Sequence, residues 1–217
     1  MTTASANSSM FDTSDPAAPG HYASLQTALL LLDFHRMFIE KAGGPRAPAA
    51  LQVAASLRYW AKSHGIHVIH CLIDVHGTPY PTCKGFARLG GLVAAMAKDG
   101  GDEPKELTKD CDDNERTFTR RPGYVSALKS PGLGDYLQSQ GIKSLILGGL
   151  STTGCVLRTA LAACDAEYVT TVVSDGCADG GEGLHDLALK VVESRGYVAT
   201  AVELREGYGK AKDSKTQ

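Results

Sequence analysis

The chain has 217 residues, 43% of them hydrophobic and 21% charged, with a formal net charge of −2. The length suits one α/β domain or two small ones. The apolar fraction excludes wholesale disorder, and the near-neutral charge excludes a dedicated nucleic-acid binder, which carries a basic excess. The longest apolar runs, 28–32 and 92–97, fall far short of the ~20 residues a membrane helix needs.

In chain order, residues 1–24 are rich in Ser, Thr, Ala, Asp and Pro and show no sustained period, so they are expected to form a flexible arm. They lack the basic and apolar regions of a secretory signal. The six cysteines (Cys71, Cys83, Cys111, Cys155, Cys164 and Cys177) include no CxxC pair. Without a signal, reduced thiols and a cytoplasmic location are the expectation.

Residues 27–32 are nearly all apolar and end at Asp33, as in a strand buried on both faces. The spacing over 48–62 predicts a helix with Pro48 in its first turn and Gly65 beyond its end. The β-branched 66–73 predicts a strand. The stretch 77–119 breaks the rhythm: it is rich in Gly, Pro, Lys and Asp, and only 92–98 reads as helical. A long insertion of this kind is expected to be functional. A charged strand-like segment, 116–119, then delivers Arg120 and Arg121.

Further along come a short helix at 135–140 and a buried strand at 143–147 ending in Gly148-Gly149. A helix at 155–166, a strand at 168–173, a helix at 184–194 and a last strand at 197–202 follow. The tail 207–217 is polar and expected to fray. Strands alternating with helices predict βαβ units, right-handed crossovers and a mainly parallel sheet flanked by helices, in a single domain over 25–206.

Ligands in open α/β sheets bind outside the carboxyl ends of the strands. Strand one delivers Asp33, and the 143–147 strand delivers Gly148-Gly-Leu-Ser-Thr-Thr-Gly-Cys155. A cysteine at a helix N-terminus is a sensible nucleophile, because the helix dipole favours the thiolate and the free N–H groups can hold an oxyanion. The alternative is a buried thiol packing as a small apolar group.

These residues carry a resemblance. An apolar strand ending in Asp33 precedes Arg121-Pro-Gly-Tyr124 with Ser126-Ala127. Gly149-Leu-Ser-Thr152-Thr-Gly-Cys155-Val156 then follows, with Thr159-Ala160. The pattern resembles the isochorismatase-like cysteine hydrolases, a superfamily that includes nicotinamidases and N-carbamoylsarcosine amidohydrolases. The resemblance spans 25 to about 206 and implies an α/β Rossmann-like sheet. It also implies an Asp-Lys-Cys triad, no cofactor, a small-molecule substrate and a homo-oligomer, dimer or tetramer.

Carried over, Asp33 would be the general base and Cys155 the nucleophile on an amide or ureide, through a thioester. A cis Leu150–Ser151 peptide would aim the Ser151 and Cys155 N–H groups at the oxyanion. The family lysine aligns with Arg121, with Arg120 as the alternative. Arginine keeps the charge but does not readily lose a proton. Lys84, Lys98, Lys105 and Lys109 lack the right local context.

Phe34, His35, Phe38, His76 and Tyr124 are candidates for substrate contact. His35 stands where many members have Gln, and a loop-supporting role for it is the other reading. Asp74-Val-His76 has a spacing that nicotinamidases use for metal ligands. A metal needs further ligands, and no metal site is expected. Two other functions remain open: an isochorismatase-type C–O hydrolase, and a catalytically inactive relative acting as a binding module, favoured by the missing lysine. Neither a nucleic-acid nor a membrane partner is expected.

Overall fold

The structure, a computed structural model, describes residues 10–112 and 114–215. Six strands form one parallel sheet in the order β3-β2-β1-β4-β5-β6. They are β1 (Thr27–Leu32), β2 (His67–Ile73), β3 (Glu115–Arg120), β4 (Ser144–Leu150), β5 (Val169–Ala178) and β6 (Tyr197–Ala199). The helices are α1 (Ala47–Ser63), α2 (Phe86–Lys98), α3 (Lys105–Thr108), α4 (Leu133–Ser139), α5 (Leu157–Asp165), α6 (Leu184–Val192) and α7 (Ala201–Lys215).

Every residue of β1 and β4 is buried, as their unbroken apolar runs require of central parallel strands. Leu29, Leu31 and Val68 point to one face, where they pack with α1 and α7 residues such as Leu57 and Leu204. Leu30, Leu32, Ile69 and Cys71 point to the other, with Leu133 and Leu137 of α4, Ala160 of α5 and Leu189 of α6. The strand order reverses direction between β1 and β4, which puts the topological switch point at the ends that carry Asp33 and the 151–155 turn.

Three expected features differ. The described part of the N-terminal segment is packed: Met10, Ala18, Pro19 and Gly20 are buried, and Phe11 meets Tyr208 edge-on with ring centroids 6.0 Å apart. Residues 1–9 lie outside the described residues. The last strand stops at Ala199, and α7 follows where strand and tail were expected. Thr200 caps that helix: its N–H donates to Glu203 Oε2 at 2.8 Å, and the Glu203 N–H donates back to Thr200 Oγ1 at 3.2 Å. Tyr208 and Ala211 of α7 are buried against the first face.

The third difference is the insertion, which holds two helices and is anchored by a buried charge cluster. Arg58 of α1 grips Glu115 with both carboxylate oxygens at 2.6 Å, and Lys62 adds a third contact at 2.6 Å. His70 of β2 lies 3.2 Å from Glu115 and 2.9 Å from Glu103 of the insertion. Burial opposes charge on His70, but the two carboxylates outweigh it and raise its pKa to about 9. The residues just before Glu103 bond to the loop after Asp33: Arg36 N–H to Asp102 O and Met37 N–H to Gly100 O, both at 2.9 Å.

Candidate active site

Asp33 follows β1 directly and adopts φ 54°, left-handed backbone that Asp tolerates better than most residues. Its N–H donates to Cys71 O at 2.9 Å, which still ties it to β2. Cys155 arrives from β4 through a wide turn, Thr152–Val156, that runs into α5 with a break at Gly154. A Cβ at Gly149 would stand 2.5 Å from the Leu32 carbonyl oxygen, so only glycine lets β4 pass this close to β1. The Leu150–Ser151 peptide is cis.

The basic partner of Asp33 is Arg120, not Arg121. Arg120 Nη1 donates to Asp33 Oδ1 at 2.9 Å, and Nη2 donates to Oδ2. Its Nε donates to the Tyr124 carbonyl at 3.0 Å. Arg121 points away and donates to the carbonyls of Thr78 at 2.8 Å and Pro79 at 3.2 Å. Strand alternation explains the difference. Phe118 packs on the second face, so Arg120 two residues on points to that face and Arg121 does not. β3 lies two strands from β1, about 10 Å away, and only a long side chain spans that gap.

Asp33, Arg120 and Cys155 are 2%, 2% and 3% exposed, so their charges interact in a poorly solvated pocket. Burial and the Asp33 carboxylate push the Cys155 thiol well above its ordinary pKa, and Arg120 pulls the other way. At rest the thiol donates to Leu150 O at 3.0 Å. Burial also raises Cys71 and Cys177, the latter to about 12.

The remaining predicted contacts divide. Phe38 lines a cavity of about 120 Å³ with Ala42, Gly43, Leu150 and Ser151, beside the cis peptide. Phe34 is a correction: it is fully buried in the first core. His35 is another, because both ring nitrogens are spent on backbone: Nδ1 lies 2.6 Å from Gly101 O, and Nε2 accepts from Ile73 N–H at 3.1 Å. It supports the loop between Asp33 and the insertion. His76 is exposed, and its N–H caps Asp74 Oδ1 at 3.0 Å. The Tyr124 ring stacks on Tyr80 at 5.3 Å, and its carbonyl holds Arg120.

Ser126-Ala127 is joined to α5 by Ala127 N–H donating to the buried Thr159 Oγ1 at 2.9 Å. Away from the site, ligand atoms of His70, Cys111 and Glu115 come within 4.8 Å of one another. The Arg58 guanidinium already sits on Glu115 at 2.6 Å and on Cys111 Sγ at 3.4 Å, so a cation is in place there.

The model of the isochorismatase domain matches residues 27–203. The chain belongs to the isochorismatase family of hydrolases. A maleamate amidohydrolase of Pseudomonas putida is 26% identical over 176 residues, covering 77% of this chain and 79% of that one. Two solved structures share the fold. A cysteine hydrolase from Pseudomonas syringae pv. phaseolicola superposes with a TM-score of 0.74 at 17% identity, covering 88% of this chain and 95% of that one. An N-carbamoylsarcosine amidase from Thermoplasma acidophilum does so with a TM-score of 0.65 at 21% identity, covering 81% and 96%.

Proposed function

We propose that this family member is a cysteine hydrolase that cleaves a small amide or ureide C–N bond through a thioester. The convergence of Asp33, Arg120 and Cys155 at the switch point carries the reading. The names of the maleamate amidohydrolase and N-carbamoylsarcosine amidase relatives agree with it.

Asp33 takes the thiol proton as Cys155 sulfur bonds the substrate carbonyl carbon. Arg120 offsets the negative charge that builds on sulfur. The N–H groups of Ser151 and Cys155 hold the oxyanion. The C–N bond breaks as Asp33 hands the proton to the leaving nitrogen. Water then attacks the thioester, releasing the acid and restoring the thiol. Arg120 acts as a fixed charge, because guanidinium does not shuttle protons. Phe38 and the small apolar cavity beside Ser151 contact the acyl group.

The test is release of ammonia or amine from a panel of small amides and ureides. Turnover by the wild type and none by Cys155→Ala is the expected result. Equal turnover by both would remove Cys155 as the nucleophile and refute the thioester route. A second reading, an inactive binding module, is favoured by the two-pronged Arg120 grip on Asp33, which competes with proton acceptance. Binding of panel members without turnover would support it.

All six cysteines are free, which fits a reducing, cytoplasmic setting. Leu184, Leu187 and Val191 form an exposed apolar stripe on α6, and Phe86 and Leu92 are exposed on α2. Such faces suit contact with a second copy. Light scattering should give a dimer or tetramer of the 22.9 kDa chain, and a monomer would refute this.

A further inference from the structure

The amides proposed to hold the oxyanion sit in the turn 151–155, and that turn is held from outside by one carboxylate. Asp179 follows β5 directly. Its Oδ2 accepts from the Thr153 N–H at 2.8 Å and from Thr153 Oγ1 at 2.7 Å. Its Oδ1 accepts from the Gly181 N–H at 3.2 Å. The preceding residue of the turn is held by α6: Thr152 Oγ1 lies 2.9 Å from His185 Nδ1. A Cβ at Gly154 would meet Ser151 Oγ at 2.8 Å, so a larger residue there would displace the Ser151 hydroxyl.

Helix propensity does not explain this arrangement. Gly154 breaks the helical path at ψ −110°, so the turn is not simply the first turn of α5. Asp179 is half-buried, and its hydrogen bonds hold its pKa below the usual carboxylate range despite desolvation. It touches neither Cys155 nor Asp33 in any bond described above.

We propose that Asp179 is a positioning residue that fixes the Ser151–Thr153 turn and so aims the oxyanion-binding amides. The proposal rests on the cysteine hydrolase reading and extends it to a residue outside the triad. Loosening the turn by even ~1 Å should cost on the order of 10- to 100-fold in any step that builds an oxyanion. It should not slow a reaction of Cys155 that builds none.

The test compares two reagents on the full chain, wild type against Asp179→Ala and Asp179→Asn. With p-nitrophenyl acetate, Cys155 sulfur bonds the acetyl carbon, the C–O bond breaks and p-nitrophenolate leaves, through an oxyanion. With iodoacetamide, sulfur displaces iodide and no oxyanion forms. Asp179→Ala should slow acylation about 10- to 100-fold relative to alkylation. Asp179→Asn, which keeps one acceptor oxygen, should recover most of the loss. Parallel change of the two rates, or no change, would overturn the proposal.

Amide hydrogen exchange gives a reading independent of chemistry. The Thr153 amide should exchange faster in Asp179→Ala while β4 and α5 keep their protection, and an unchanged Thr153 amide would also overturn the proposal. If wild-type Cys155 reacts with neither reagent, the nucleophile reading fails, and the exchange result alone decides on Asp179.

Discussion

At the scale of single residues, the identity of the basic group decides how the proposed triad works. Arg120 and Asp33 form a fork-to-fork pair in a site almost without solvent, the strongest geometry the two side chains allow. Arg120→Ala would leave a buried carboxylate unpaired, at a cost of about 3–5 kcal/mol in stability, and turnover should fall at least ~100-fold. Arg120→Lys keeps the charge and should hold turnover within about 10-fold. Arg121→Ala, which loses only two carbonyl contacts to the 78–79 loop, should change turnover by no more than about 3-fold. Steady-state rates and thermal midpoints of the three variants check this, and greater sensitivity at Arg121 would reverse the assignment. The placement of Asp33 at the end of β1 and of Cys155 just ahead of α5 was legible in the sequence, because an apolar strand precedes the one and a helical pattern follows the other. The Pro-x-Tyr context points to Arg121, whereas the period of a strand places Arg120 with Phe118.

At the scale of elements, the buried cluster of Arg58, His70, Glu103 and Glu115 couples the sheet to the insertion. Glu103 leads back through 99–102 to the loop after Asp33. His70 has a pKa raised from 6.5 to about 9 in the folded state. Its contribution is therefore fully present below pH ~6.5 and lost as pH rises through about 9, amounting to about 3 kcal/mol. The same contacts hold Glu115 far below its usual range, so the gain is counted once. Urea midpoints should fall between pH 7 and pH 10, and His70→Gln should remove most of that slope. An equal slope in both proteins would place the alkaline loss elsewhere. The cluster was not legible, because its members lie up to 57 residues apart in sequence. The start of α7 was not read either: Thr200-Ala-Val-Glu203 is a capping box, but the β-branched run before it reads as a strand over 197–202.

At the scale of the whole molecule, the order β3-β2-β1-β4-β5-β6 brings the ends of β1 and β4 together, and Arg120 reaches them from the edge strand β3. The alternation of strands and helices made this architecture readable. The length of the insertion and the packing of the termini depend on contacts between distant segments, and no local period records them. The central claim is that Cys155 becomes acylated. Mass spectrometry of the intact chain, quenched in acid during turnover of an amide that the panel finds, tests it most directly. The account predicts a mass increase equal to the acyl group, mapped to the peptide containing Cys155 and absent from Cys155→Ala. Sustained turnover with no acyl mass on Cys155, and with Cys155→Ala still active, would contradict it.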